Sequence, residues 1–137
     1  MAGVYADPMS TLAAEEYNAL THQIIAAAIE VHRQLGPGLL ESAYEACLLY
    51  ELHKRGLKTV SQLGLPVVYD EVRIDVGYRI DILVEDSVIL ELKAVERLTA
   101  LHEAQLMSYL KLSGKKVGLL INFNTTRLID GVIRRAN

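Results

Sequence analysis

The sequence predicts an α/β fold in which a mixed central sheet is flanked by helices. Three observations lead there. Helical spacing rules the first third of the chain, β-branched and aliphatic runs rule the middle, and one helical stretch then separates two groups of strands. A helix placed between strands is the connection that lets two strands run parallel in one sheet.

Residues 1–17 contain Gly3, Pro8 and several small residues and read as a loose lead-in; residues 18–137 read as one domain. Over residues 18–35, Leu20, Ile24, Ala27, Ala28, Val31 and Leu35 recur at helical spacing, and Gly36-Pro37-Gly38 stops that helix. A second helix is expected over 39–55, closed by Gly56. It is apolar on most sides, which predicts a central, well-buried helix. Strands are expected over 63–70, 72–84 and 87–95, with turns or bends at Gly64, Pro66, Asp70-Glu71 and Gly77. A third helix is expected over 98–112. Gly114-Lys115-Lys116 then turns the chain into a strand over 117–123, and residues 125–135 read as the last strand.

With 51% hydrophobic and 23% charged residues, the chain of 137 residues can bury a core and is not disordered. A net charge of −3 argues against a protein that coats nucleic acid through bulk charge, but leaves room for a basic rim around an acidic site. Cys47 is the single cysteine, which excludes a disulfide framework and a thiolate zinc site. No apolar run approaches the ~20 residues of a membrane span, the N-terminus lacks signal-peptide character, and a reducing, cytoplasmic setting is the default expectation.

The stretch DILVEDSVILELK (81–93) reads as a hairpin with charge in an apolar setting. Alternate strand residues share a face, so Glu91 and Lys93 point together, opposite Leu90 and Leu92. If Glu85-Asp86-Ser87 form a three-residue loop, Val84 faces Val88 and Asp81 faces Glu91. A two-residue loop would put Asp81 opposite Leu90 and break the set. Facing carboxylates repel unless a cation lies between them, and oxygen-only ligands suit magnesium or manganese. Lys93 on the same face would neutralise one carboxylate or hold the attacking water. That is the chemistry of metal-assisted phosphodiester hydrolysis. The plain competing reading is an exposed Glu–Lys pair on a solvated strand.

Two further groups bear on the choice. Glu41 and Tyr44, three apart in the second helix, share a face, although Glu41 also suits a helix N-terminus on its own. Leu101, Gln105, Tyr109 and Leu112 form one stripe of the third helix, where the Gln105 amide needs partners. Gln105 and Tyr109 are either a structural pair or a hold on the substrate backbone. His22, His32, His53 and His102 suit surface or packing roles, with His102 near the rim. Lys111, Lys115, Lys116, Arg127, Arg134 and Arg135 read first as solvated surface and second as a phosphate-contacting rim.

Taken in order, Asp81…Glu91-x-Lys93 resembles the core of the PD-(D/E)XK nuclease superfamily, and Gln105-x-x-x-Tyr109 resembles the helical motif of RecB-type exonucleases. The stretch GLLESAY (38–44) is similar to the signature of the GxxExxY protein family. The likeness runs from about Leu20 to Arg134; Ile80 stands where the superfamily pattern has proline. The resemblance implies a restriction-endonuclease-like core in αβββαβ order with Mg2+-dependent or Mn2+-dependent cleavage. It makes Asp81, Glu91 and Glu41 the metal-binding acids, with the Leu92 carbonyl assisting, and gives Lys93 the water. Gln105, Tyr109 and Tyr44 fall to substrate binding. The expected function is a nuclease, on DNA in preference to RNA. The alternative is a catalytically silent module of the same fold that binds nucleic acid or a partner protein, and a hydrolase of small phosphorylated molecules is a third reading. An exposed apolar face on the first helix would suit a homodimer; no membrane partner is expected.

Overall fold

The computed structural model describes residues 12–137. Helix α1 (Ala14–Leu35) starts four residues before the sequence pattern does, because Glu16 turns back to accept the Ala13 N–H at 2.9 Å. Residues 1–11 of the expected lead-in lie outside the described residues. The helix ends at Gly36, whose φ of +69° suits a residue without Cβ. Helix α2 (Glu41–Lys54) buries only one face, through Tyr44, Leu48, Glu51 and Leu52; Tyr50 is 67% exposed. The expectation of a helix covered on most sides is thus corrected, since α1 and the sheet reach only one side of it.

The strands follow as β1 (Thr59–Gly64), β2 (Val67–Tyr69), β3 (Val72–Ile74), β4 (Arg79–Val84) and β5 (Val88–Lys93). The expected run over 72–84 is broken in two around Gly77, which has φ +85°. Helix α3 (Ala100–Ser113) is capped by the Thr99 hydroxyl, which accepts the His102 N–H at 3.3 Å. Strand β6 (Val117–Asn122) comes next. The first part of the last expected strand holds a bend and a 3-10 turn (Leu128–Gly131) instead, and β7 is confined to Val132–Ala136.

Five strands form one sheet in the order β1-β4-β5-β6-β7, antiparallel except for the parallel β5–β6 pair, while β2 and β3 form a separate hairpin. Helix α3 is the crossover that makes β5 and β6 parallel. Helices α1 and α2 cover one face of the sheet, where Ile24, Ala28, Leu48 and Leu52 join Ile82, Leu90, Leu92, Leu119 and Ile121. Helix α3 covers the other, where Leu106 and Leu110 join Leu83, Ile89 and Leu120. Burial on both faces accounts for the unbroken apolar run of β6. With β2 and β3 set apart as a side hairpin, α2, β1, β4, β5, α3 and β6 follow the αβββαβ order expected from the sequence, a mixed sheet between helical layers.

The α3 layer sits close to the sheet because Gly118 leaves room for it. A Cβ at Gly118 would stand 2.7 Å from Leu106 Cδ1, inside a fully buried contact. Gly118→Ala is expected to lower stability by ~1–3 kcal/mol, measured as the shift in urea midpoint. An unchanged midpoint would mean that α3 rides away from the sheet without loss.

Candidate active site

The hairpin between β4 and β5 sets the site. Glu85 and Asp86 both have positive φ, +51° and +53°, and Ser87 N–H donates to Val84 carbonyl at 2.9 Å. Ser87 is one residue more than a two-residue turn holds, and Val84 therefore pairs with Val88, Leu83 with Ile89 and Ile82 with Leu90. Glu85 is held in this unfavourable backbone region by Lys58: its N–H donates to Lys58 carbonyl at 2.8 Å, and its Oε2 accepts Lys58 N–H at 2.6 Å.

One step beyond Ile82 and Leu90, carboxylates take over from the backbone ladder. Asp81 N–H donates to Glu91 Oε2 at 3.0 Å, and Leu92 N–H donates to Asp81 Oδ2 at 2.8 Å. Each acid is therefore tied to the other's strand. Strand β4 also changes facing here. Ile80 and Ile82 are two apart yet pack on opposite sides of the sheet. Beside them on β1, Gln62 has φ +52° and drops out of the register.

Electrostatics at this point are those of an acidic cluster with one shared cation. Glu91 is 4% exposed, and its carboxyl is pushed up to about 8, first by burial and then by Asp81, against the Asp81 amide and Lys93. Asp81 is raised by burial, against the Leu92 amide, Lys93 and Gln62. Glu41, at the start of α2, is also raised, by loss of surrounding water first and by Asp81 further, while Lys93 and the Ala94 amide oppose. Lys93 thus acts on all three acids. Each of the two strand-to-strand bonds engages one carboxylate oxygen, and a carboxylate carries about four lone-pair positions. Asp81 and Glu91 keep acceptor capacity for a divalent cation, which would relieve their repulsion. Among the described residues no three His, Cys, Asp or Glu side chains gather as a complete metal cage. Backbone or water oxygens would have to complete the shell, which magnesium and manganese accept.

Beside the acids opens a pocket of about 640 Å³, lined by Lys93, Gln105, Tyr109 and neighbours from α3. Gln105 Nε2 donates to the Tyr109 hydroxyl at 3.2 Å. Tyr109 is largely buried, and its hydroxyl is raised by burial and by Glu91, which brings it to the edge of the acid pair. Leu101 and Leu112 also line the pocket. The α3 stripe legible in the sequence is therefore the pocket wall, while Leu106 and Leu110 make the core face. His102 lines the pocket as well; its Nδ1 accepts the Thr99 N–H at 3.1 Å, so Nε2 carries the proton in the neutral ring.

Other expectations change. Tyr44 is fully buried, stacks on Phe123 at 4.6 Å, donates to Gly36 carbonyl at 2.6 Å and accepts Leu39 N–H at 3.1 Å. Its ring and hydroxyl are spent inside the protein, so the placement of Tyr44 among substrate contacts is corrected: it clamps the Gly36–Leu39 loop. His32 is buried and bonds Thr125 carbonyl through Nε2 at 2.8 Å. Much of the expected basic rim is engaged elsewhere. Lys115 pairs with Asp86, Arg127 with Asp130 and Arg135 with Glu103, while Arg134 bonds Asn18 and Thr21. Sequence reasoning missed Tyr78, which lies on the pocket against Tyr109, and Asn122, whose amide clamps Val95 on both its N–H and its carbonyl. Their signal lies in contacts distant in sequence.

Two outcomes follow. Glu91 binds its proton more tightly folded than unfolded, since about 8 exceeds the ordinary value of ~4.3. Its contribution is complete below the ordinary value and is lost as pH climbs through about 8. In chelator the unfolding midpoint should fall between about pH 5 and 8, and Glu91→Gln should flatten that fall; a flat wild-type profile would contradict it. Tyr44→Phe should lower stability by ~1–2 kcal/mol without weakening binding of any nucleic acid. Lost binding by the folded variant would return Tyr44 to the substrate.

Residues 18–135 match the sequence model of the PD-(D/E)XK nuclease superfamily. No curated protein and no solved structure compared with the chain matches it. The family match runs from α1 into β7 and takes in the acid pair, Lys93 and the α3 wall of the pocket. The chain belongs to the PD-(D/E)XK nuclease superfamily.

Proposed function

We propose that the chain is a divalent-metal-dependent nuclease that hydrolyses phosphodiester bonds in nucleic acid, with DNA as the favoured polymer. The observation that carries this is the pair of buried Glu91 and half-buried Asp81, cross-tied through backbone amides beside Lys93 and its pocket. A buried acid pair raises the free energy of the fold unless something positive settles on it.

Asp81 and Glu91 are the side chains that would hold magnesium or manganese, with the Leu92 carbonyl and water oxygens completing the shell and Glu41 reaching it through water. A bound divalent ion supplies a Lewis acid that offsets phosphate charge and eases deprotonation of water. The ammonium of Lys93 then keeps the attacking water in line and balances the charge that develops in the transition state. Gln105 and Tyr109 hold the strand beside the acids. Ile29 and Leu35, exposed on α1, are the surface a second copy of the chain would use. A catalytically silent binding module is the second reading. It is favoured by one observation, the exposed position of Glu41.

The test joins binding of metal to turnover. Manganese at about ten times its dissociation constant should stabilise the wild type by ~1.4 kcal/mol, seen as a raised unfolding midpoint, and Asp81→Asn and Glu91→Gln should lose the gain. Lys93→Ala should keep a metal-linked rise yet cleave DNA roughly 100- to 1000-fold more slowly. Metal stabilisation with no cleavage of DNA or RNA by wild type would favour the silent module. An active Lys93→Ala would reduce the lysine to a structural part.

A further inference from the structure

The walls of the pocket beside Lys93 do not suit a duplex. Among the described residues Lys93 is the one lysine or arginine that lines it. Arg79, next to Tyr78 in the chain, donates to the Gln62 carbonyl at 3.2 Å, and Arg97 and Lys111, which flank the wall residues of α3, are not among the side chains that line it. A protein that grips duplex DNA does so through many phosphate contacts, and this pocket presents a single cation to a phosphate.

What the pocket offers instead is apolar and aromatic surface. Tyr78, on the segment leading into β4, is 47% exposed and tilts against Tyr109 with ring centroids 6.0 Å apart. Leu101, 78% exposed, and Leu112 line the pocket from α3. An exposed tyrosine and an exposed leucine on one concavity offer apolar surface on which a planar base can stack. Gln105, His102 and Ser108 add hydrogen-bonding groups able to meet a base edge. A pocket of about 640 Å³ is of the size that holds a small molecule or a nucleoside unit.

We propose that this pocket is a nucleobase subsite. It receives an unpaired base next to the phosphate held at Lys93, with Tyr78 as its stacking platform, so the chain acts on single-stranded nucleic acid rather than on intact duplex. The place of the phosphate rests on the nuclease reading; the base subsite rests on Tyr78, Leu101 and the scarcity of cations. Stacking tolerates every base, because each has a π face, so discrimination between strand and duplex is expected without strong sequence preference. In a duplex the bases are stacked on one another and cannot enter.

The experiment measures fluorescence anisotropy of a labelled single-stranded oligodeoxynucleotide and of its blunt duplex, in chelator, with wild type, Tyr78→Ala, Tyr78→Phe and Leu101→Glu. Cleavage of both probes in manganese is followed in parallel. Tyr78 and Leu101 are exposed enough for the variants to fold, which unchanged unfolding midpoints verify. The single strand should bind at least tenfold tighter than the duplex. Tyr78→Ala should weaken strand binding roughly 10- to 100-fold, Leu101→Glu should weaken it as well, and Tyr78→Phe should stay near wild type. Duplex binding as tight as strand binding, or strand binding untouched by Tyr78→Ala, would overturn the subsite. A mononucleotide that displaces the strand at matched concentration would overturn it too, in favour of a pocket for free nucleotides. If the strand binds through Tyr78 but neither probe is cut, the subsite stands and the nuclease reading falls. If both probes are cut alike by wild type and Tyr78→Ala, the nuclease reading stands and the subsite falls.

Discussion

The exchange of hydrogen bonds between Asp81 and Glu91 governs the rest of the molecule. Where a regular antiparallel pair would continue with backbone donors and acceptors, each strand here offers an amide to the other strand's carboxylate. The exchange satisfies the backbone and brings two acids into a place with little water. That place raises their proton affinity and makes the single ammonium of Lys93 the common counter-charge. The polar edge of the pocket and the raised carboxyls derive from that arrangement, and the proposed metal binding rests on it.

The frame around it is stiff where it needs to be. The Phe123 amide bonds Lys93 carbonyl, and Asn122, 2% exposed, holds Val95 from both sides. The end of β5 is therefore pinned by the end of β6, its parallel neighbour. On the opposite side Tyr44 stacks on Phe123 and fixes the loop from which α2 begins, which sets where Glu41 can reach. The pocket wall, by contrast, is built largely from exposed side chains of α3 and from Tyr78, with Tyr109 joining it to the core.

Much of this was legible in the sequence because it depends on near neighbours. Helical spacing and Gly114 mark α3, strand parity puts Glu91 and Lys93 together, and an i,i+4 interval joins Gln105 to Tyr109. What was not legible depends on distant partners. The interval between Glu41 and Tyr44 says that they share a quadrant of the helix, not that Phe123 lies beneath one of them. The basic residues near the C-terminus read as a rim until Asp86 and Glu103 are brought to meet them. Simple alternation also fails along β4, where Ile80 and Ile82 part company, because Gln62 on the adjacent strand takes a left-handed backbone that no local pattern announces.

The extra residue at Ser87 makes the site a matter of parity. Turn length changes in whole residues, and each step rotates a strand by half a pleat. A lineage can therefore exchange the side chains of this turn freely, but it cannot approach or leave the acidic pair by small degrees through its length. One deletion abolishes the pairing outright, and a second, compensating change elsewhere in the same hairpin is needed to restore it. Gradual adaptation is left to the pocket wall, where residues can vary without touching the register. In such a fold the chemistry is inherited whole or lost, while the choice of substrate stays open to drift.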